Sequence, residues 1–91
     1  MLVRATVHFH GRVQGVNFRA NCAEEARSLG LEGYVRNRPD GSVEAVFEGD
    51  RSLVEQCIDR NRTAQPAARV TAVDVEWGTA TGEFRGFEIR H

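Results

Sequence analysis

The chain has 91 residues, a formal net charge of −1 and two cysteines. That near-neutral balance leaves no electrostatic footprint for DNA, RNA or an anionic membrane, and no apolar run approaches the ~20 residues of a membrane helix. Size scaling leaves about 5,300 Å² exposed out of roughly 14,600 Å² for the unfolded chain, enough for one core. We therefore read residues 1–91 as one domain. Met1-Leu2-Val3-Arg4 lacks a charged-then-apolar signal pattern, so a soluble, cytoplasmic protein is expected, with a monomer as the default. All twelve basic residues are arginine, a choice that either ion-pair use or genome composition would produce.

Residues 2–10 alternate, with Val3, Ala5, Val7 and Phe9 facing one way and Arg4, Thr6, His8 and His10 the other, the pattern of a half-buried strand. A glycine-bearing loop follows at 11–17. Phe18, Cys22, Ala26 and Leu29 then share one helical stripe with Ala23 beside it, so 18–29 reads as a helix. Asn17 is its expected N-cap and Gly30 its terminating glycine, while Glu24, Glu25 and Arg27 lie off the stripe. Residues 31–38 and 42–48 read as two strands joined by the turn Arg38-Pro39-Asp40-Gly41, in which proline presets the first corner and glycine accepts positive φ. Val43, Ala45 and Phe47 share one face of the second of these strands.

A second helix spans 52–61, with Val54, Cys57, Ile58 and Asn61 inward; Ser52-Leu53-Val54-Glu55 fits a capping box, and Asp50 is the other candidate cap. Pro66 marks a loop. Residues 69–77 form a strand with Thr71, Val73, Val75 and Trp77 in one phase, and 84–90 a short last strand with Phe87 and Ile89 in one phase. The order β-α-β-β-α-β plus an edge strand predicts an α+β, ferredoxin-like sandwich. Its antiparallel-dominated sheet would have four to five strands, with two helices on one face.

The loop carries the chemistry. A glycine-bearing turn between a strand and a helix N-terminus gathers backbone N–H groups that have no intrahelical partner, at the positive end of the helix dipole. Gly11 and Gly15 let the chain curl there. The N–H groups of Gln14, Gly15, Val16, Asn17 and Phe18 are the expected phosphate-binding donors, and Arg19 adds a planar fork matched to phosphate oxygens. Neither the Walker A loop nor the dinucleotide fingerprint is present, because no Gly-Lys-Ser/Thr follows and the G-x-G-x-x-G spacing is absent. From residue physics alone, Arg19 reads equally as a surface arginine or as an anion ligand. Asn37 reads either as a turn-flanking side chain bonded to its own backbone or as an amide that orients a water.

The run Gly11-Arg12-Val13-Gln14-Gly15-Val16-Asn17-Phe18-Arg19 resembles, nearly residue for residue, the acylphosphatase signature G-[RK]-V-Q-G-V-x-F-R. Phe9 stands where that family usually has Ile, Leu or Val. A second block, Gly33-Tyr34-Val35-Arg36-Asn37-Arg38-Pro39-Asp40-Gly41-Ser42-Val43 closing with Gly49, is also similar to the family, as is Gly86-Phe87-Glu88-Ile89-Arg90. The resemblance implies the same fold and the hydrolysis of an acyl phosphate to carboxylate and inorganic phosphate by direct attack of water. It implies no covalent intermediate, metal or cofactor. Arg19 falls on the family's catalytic, phosphate-binding arginine and Asn37 on its second catalytic residue. The substrate's own phosphate would accept the water's proton. Phe9, Val13 and Val16 are expected to brace the loop, and inorganic phosphate to act as both product and inhibitor.

Residue chemistry agrees with that reaction. An acyl phosphate expels a carboxylate whose conjugate acid has a pKa of ~4, so no general acid is required. The loop offers no Cys, Ser or Asp beside a base, which leaves positioning and electrostatic stabilisation. His8 and His10 read as a solvent-facing pair without the further ligands a metal needs. Cys22 and Cys57 read as buried free thiols, with a disulfide open if their Cα atoms lie within ~7 Å. The alternative functions are a ferredoxin-like anion-binding or regulatory module without turnover, or a carbamoyl-phosphate-handling domain like the one that begins hydrogenase-maturation carbamoyltransferases. A single-strand RNA binder is disfavoured, because Arg85-Gly86-Phe87 lacks the aromatics that should follow and lies on the last strand.

Overall fold

A computed structural model describes residues 2–91. The chain runs β1 (Leu2–Arg12), α1 (Phe18–Ser28), β2 (Glu32–Asn37), β3 (Val43–Asp50), α2 (Arg51–Thr63), β4 (Arg69–Thr79) and β5 (Phe87–Arg90). The strands form one sheet in the order β4-β1-β3-β2-β5. All pairings are antiparallel except that of β5, which lies parallel to β2. This is the expected α+β sandwich, with β5 as its fifth strand. Its accessible surface, 5234 Å², agrees with the size-scaling expectation.

β1 is an inner strand whose alternation serves two faces at once. Val3, Ala5, Val7 and Phe9 are buried against both helices, together with Val35 of β2 and Val43, Ala45 and Phe47 of β3. Phe18, Cys22, Ala23 and Ala26 bring the inner stripe of α1 onto this core, and Val54 and Cys57 bring that of α2. α1 ends in a Schellman pair of bonds, Leu31 N–H to the Ala26 carbonyl at 2.9 Å and Gly30 N–H to that of Arg27 at 3.1 Å. At the start of α2, Asp50 is the cap: its carboxylate accepts the Ser52 N–H at 3.1 Å, so Ser52 lies inside the helix and the capping-box reading gives way.

Three strand readings change. The first strand runs on to Arg12, so Gly11, expected to shape the loop, lies inside β1 opposite Val70. The expected phase Thr71, Val73, Val75, Trp77 breaks at its first member. His10 opposes Ala72 and Gly11 opposes Val70, so Thr71 is the extra residue of a bulge and Val70 takes the core-facing position. The last strand begins at Phe87, not at 84, because Phe84 leaves the ladder to lie edge-on against Tyr34 with ring centroids 5.8 Å apart.

The other sheet face is polar and densely paired. Glu44 accepts from Arg36 at 2.9 Å and Tyr34 at 2.8 Å and pairs with His8 at 3.1 Å. Buried Glu48 pairs with Arg4 at 3.0 Å and accepts the Thr81 and Gly82 N–H groups at 2.9 and 3.1 Å, while His10 pairs with Asp74 at 2.9 Å. His8 and His10 thus stay partly exposed, as expected, and each also has a carboxylate partner. Burial opposes ionisation of Glu44, but the hydrogen bonds from Arg36, His8 and Tyr34 outweigh it and hold the carboxyl down at about 2, against an ordinary 4.5.

A carboxylate depressed in the folded state stabilises it fully above the ordinary pKa, and that contribution drains away as pH falls toward the folded value. Urea midpoints of wild type and Glu44→Gln should therefore differ most at pH 6 and converge between pH ~5 and ~2; a gap that does not narrow contradicts the network. A second prediction comes from the bulge. Gly11 has φ 117°, and a Cβ there would collide with the Arg69 carbonyl, whereas Gly15 (φ 76°) faces open space. Gly15→Ala should cost about 1–2 kcal/mol for its backbone conformation alone. Gly11→Ala should cost more, read as a lower Tm, and equal Tm losses would sink the distinction.

Candidate active site

The loop between β1 and α1 is a curl of alternating handedness. Gly15 and Asn17 have φ of 76° and 61°, and the residue between them does not share their positive φ. Such alternation turns successive N–H groups toward one concavity. Asn17 holds the N-cap position, but its side chain makes no cap hydrogen bond. The sequence assignment is corrected on this point: asparagine serves here because it tolerates the left-handed region, not because it caps. Among the described residues, the N–H groups of Gln14, Gly15, Val16 and Asn17 donate to no backbone carbonyl. The first bond of α1 runs from Asn21 N–H to the Asn17 carbonyl at 3.1 Å, which leaves those of Phe18, Arg19 and Ala20 ahead of the helix ladder.

The curl rests on aromatic packing. Phe9 and Phe18 are fully buried with ring centroids 5.0 Å apart, a contact worth about 0.5–1.5 kcal/mol beyond the area it buries. Val13 is buried beside them and Val16 packs on the core edge. Beneath the first turn of α1 lies a buried amide network. Gln65 Nε2 donates to the Phe18 carbonyl at 3.3 Å and to Asn61 Oδ1 at 2.9 Å, and Asn61 Nδ2 donates to the Cys57 carbonyl at 2.9 Å. The inward Asn61 of the helix stripe is explained by this network, which links the end of α2 to the start of α1.

A cleft of about 410 Å³ opens above the curl. Gly15, Asn17, Phe18, Arg19 and Asn37 line it, and Ile89 and His91 close one side. The structure therefore brings together the loop, Arg19 and Asn37, although Gln14 and Val16 are not among the lining residues. Arg19 is half-buried; its Nη1 donates to the Arg90 carbonyl at 3.0 Å and lies 3.2 Å from His91 Nδ1. Asn37 is the last residue of β2, and its Oδ1 is buried with no hydrogen-bond partner. A buried acceptor left open in this way is costly unless a ligand or water fills it.

Two sets of participants were not found by sequence reasoning: the carbonyl of Arg90 with the side chains of Ile89 and His91, and the side chain of Gln14, which reaches across to the next turn. The first set needed the parallel pairing of β5 with β2, which sets Arg36 opposite Arg90 and so brings the end of β5 beside Asn37. No local pattern announces that pairing. Cys22 and Cys57 are free and buried; burial raises the Cys22 thiol well above its ordinary value and pushes that of Cys57 up to about 12. Neither is a nucleophile.

The description "Acylphosphatase" belongs to the family model that matches residues 5–89. A Roseiflexus sp. acylphosphatase is 53% identical over 97% of this chain and 95% of its own length, and one from Aeropyrum pernix is 56% identical over 99% and 90%. The crystal structure of acylphosphatase from Bacillus subtilis superposes with a TM-score of 0.93 at 30% identity, covering 98% of this chain and 99% of that one. A match that runs through the curl, the Asn37 turn and β5 alike establishes that the chain belongs to the acylphosphatase family.

Proposed function

We propose that the protein hydrolyses the carboxyl–phosphate bond of acyl phosphates, giving a carboxylate and inorganic phosphate, with residues 1–91 acting as one domain. The observation that carries this reading is that Gly15, Asn17 and Phe18 of the curl, Arg19, and Asn37 with its unpartnered Oδ1 line one cleft. In the reading, the amides of Gln14 to Phe18 and the guanidinium of Arg19 hold the phosphoryl oxygens. Asn37 accepts a hydrogen bond from the attacking water and aims its oxygen at phosphorus. As the water oxygen bonds to phosphorus, the bond from phosphorus to the acyl oxygen breaks and its electron pair leaves with the carboxylate. The water's proton passes to a phosphoryl oxygen of the substrate. The carboxylate is a good leaving group unprotonated, so no side-chain acid and no cofactor are needed.

Arg19 occupies the second position of α1, where the helix dipole disfavours a cation. A bound anion would offset that cost, and the Arg90 carbonyl supports the side chain in its absence. We further place the protein in the cytoplasm as a metal-independent monomer. Two buried free thiols suit a reducing compartment, and among the described residues no helix is long and apolar enough to cross a membrane.

With benzoyl phosphate as substrate, Arg19→Gln should lose about 10²–10³-fold in kcat together with phosphate affinity, because the guanidinium holds the phosphoryl oxygens in the ground state and holds them more tightly in the transition state. Asn37→Ala should lose about 10²-fold in kcat and keep phosphate affinity, since its partner is water. Equal phosphate affinity in wild type and Arg19→Gln would contradict the role of Arg19. Inorganic phosphate and sulfate should inhibit competitively, and a chelator should leave the rate unchanged. A wild type that binds phosphate without turnover would instead identify a binding module.

A further inference from the structure

The proposed chemistry uses the backbone of Gln14 and leaves its side chain unassigned, yet the amide nitrogen of that side chain is fully committed. Its Nε2 donates to the Arg38 carbonyl at 2.8 Å and to the Ser42 carbonyl at 2.9 Å. Two carbonyl acceptors on one atom fix the orientation of the amide, because only the nitrogen has hydrogens to give, and they use both of them. The acceptors are the two ends of the β2–β3 turn. Arg38 N–H donates to the Ser42 carbonyl at 2.9 Å, and Gly41 N–H to that of Arg38 at 3.1 Å. Asn37 is bonded covalently to Arg38. One half-buried amide of the curl therefore grips the turn that carries the water-orienting residue, across 24 positions of sequence to Arg38 and 28 to Ser42.

We infer that Gln14 is a positioning residue that sets Asn37 in register with the phosphate cradle, so that water held by one stands in line with phosphorus held by the other. The inference rests on the hydrolysis proposed above. The two halves of the site belong to different elements: the β1–β3 ladder ends at Phe9 opposite Val43, and Val43 in turn opposes Asn37 across the β2–β3 ladder, so the sheet reaches Asn37 and stops short of the curl. Past that pair, the two Gln14 bonds join curl and turn. A displacement of about 1 Å at this distance from the chemistry is enough to cost about 10²-fold in rate. Methionine keeps the length of the side chain and cannot donate. Glutamate keeps its shape and would turn an oxygen toward two carbonyls.

The test is a kinetic cycle with benzoyl phosphate on wild type, Gln14→Met, Gln14→Glu, Asn37→Ala and the double variant Gln14→Met/Asn37→Ala, with the inhibition constant of inorganic phosphate measured for each. Gln14→Met should lower kcat at least about 10-fold while the phosphate constant stays within about twofold, and Gln14→Glu should be slower still. The double variant should be no slower than Asn37→Ala alone by more than about threefold, since a residue that acts through Asn37 has nothing left to position. An unchanged kcat in Gln14→Met, phosphate affinity lost in step with kcat, or losses that multiply in the double variant would each overturn the brace. So would failure of Gln14→Met to fold, which would make the contact a folding element. An inactive wild type would overturn the hydrolysis itself. An active wild type with a slow Asn37→Ala and a normal Gln14→Met would overturn the brace alone.

Discussion

The structure depends on keeping a cation and a set of unpaired N–H groups at the same end of one helix. Each repels the other's partial charge, and the dipole of α1 adds to the repulsion. The fold offsets the conflict with a carbonyl. β5 docks parallel to β2, and its Arg90 oxygen meets Arg19 at 3.0 Å. That docking is secured further along by Arg27 of α1, whose Nε and Nη2 both donate to the Phe87 carbonyl at 3.0 and 2.8 Å, and by Phe87 stacked on Phe47 with centroids 5.5 Å apart. The short edge strand that closes the sheet is thus also a wall of the cleft.

The rest of the fold holds that end of α1 still. The Phe9–Phe18 pair fixes the curl from below, and the Gln65–Asn61 amides fix the first turn from the side of α2. Buried amides stabilise little when paired and cost much when stranded, so they restrict the start of α1 to the placement that satisfies them all. The phenylalanine at position 9, where the resembled family usually has an aliphatic residue, supplies the second ring of this support. At the hairpin turn, Asp40 plays the matching local role: its carboxylate accepts the Ser42 N–H at 2.9 Å and hydroxyl at 2.6 Å and is held below its ordinary pKa by those bonds.

Much of this was legible in the chain because period and turn chemistry are local. The alternation of residues 2–10, the stripe from Phe18 to Ala26 and the Pro39–Gly41 turn each name an element without reference to the others. Arg19 and Asn37 were legible through motif blocks, and the structure sets both on one cleft. Position 71 was misread because a bulge shifts the inward phase by one residue and depends on the partner strand. Asn17 was misread because capping and tolerance of positive φ favour the same residue type. The reach of Gln14 to a turn far along the chain, and of Arg19 to Arg90, depends on sheet order, which no window of sequence contains.

Geometry also explains much of the exclusive use of arginine. Arg27 closes a fork on one carbonyl, Arg51 and Arg90 lie 4.2 and 4.1 Å over the rings of Trp77 and Tyr34, and Arg4 lies over Phe84 while pairing with Glu48. Each use suits the planar guanidinium, with its fixed fork and stacking face, better than an ammonium. The argument is sharpest at Arg19. A lysine there would turn its single ammonium toward the Arg90 carbonyl, and any anion would have to compete for it. The guanidinium meets that carbonyl with Nη1 alone, and among the described residues its Nε and Nη2 donate to no protein group. Under the function we propose, one nitrogen keeps the side chain in place between turnovers and the others stay open to phosphate oxygens. Anchoring and binding therefore do not compete.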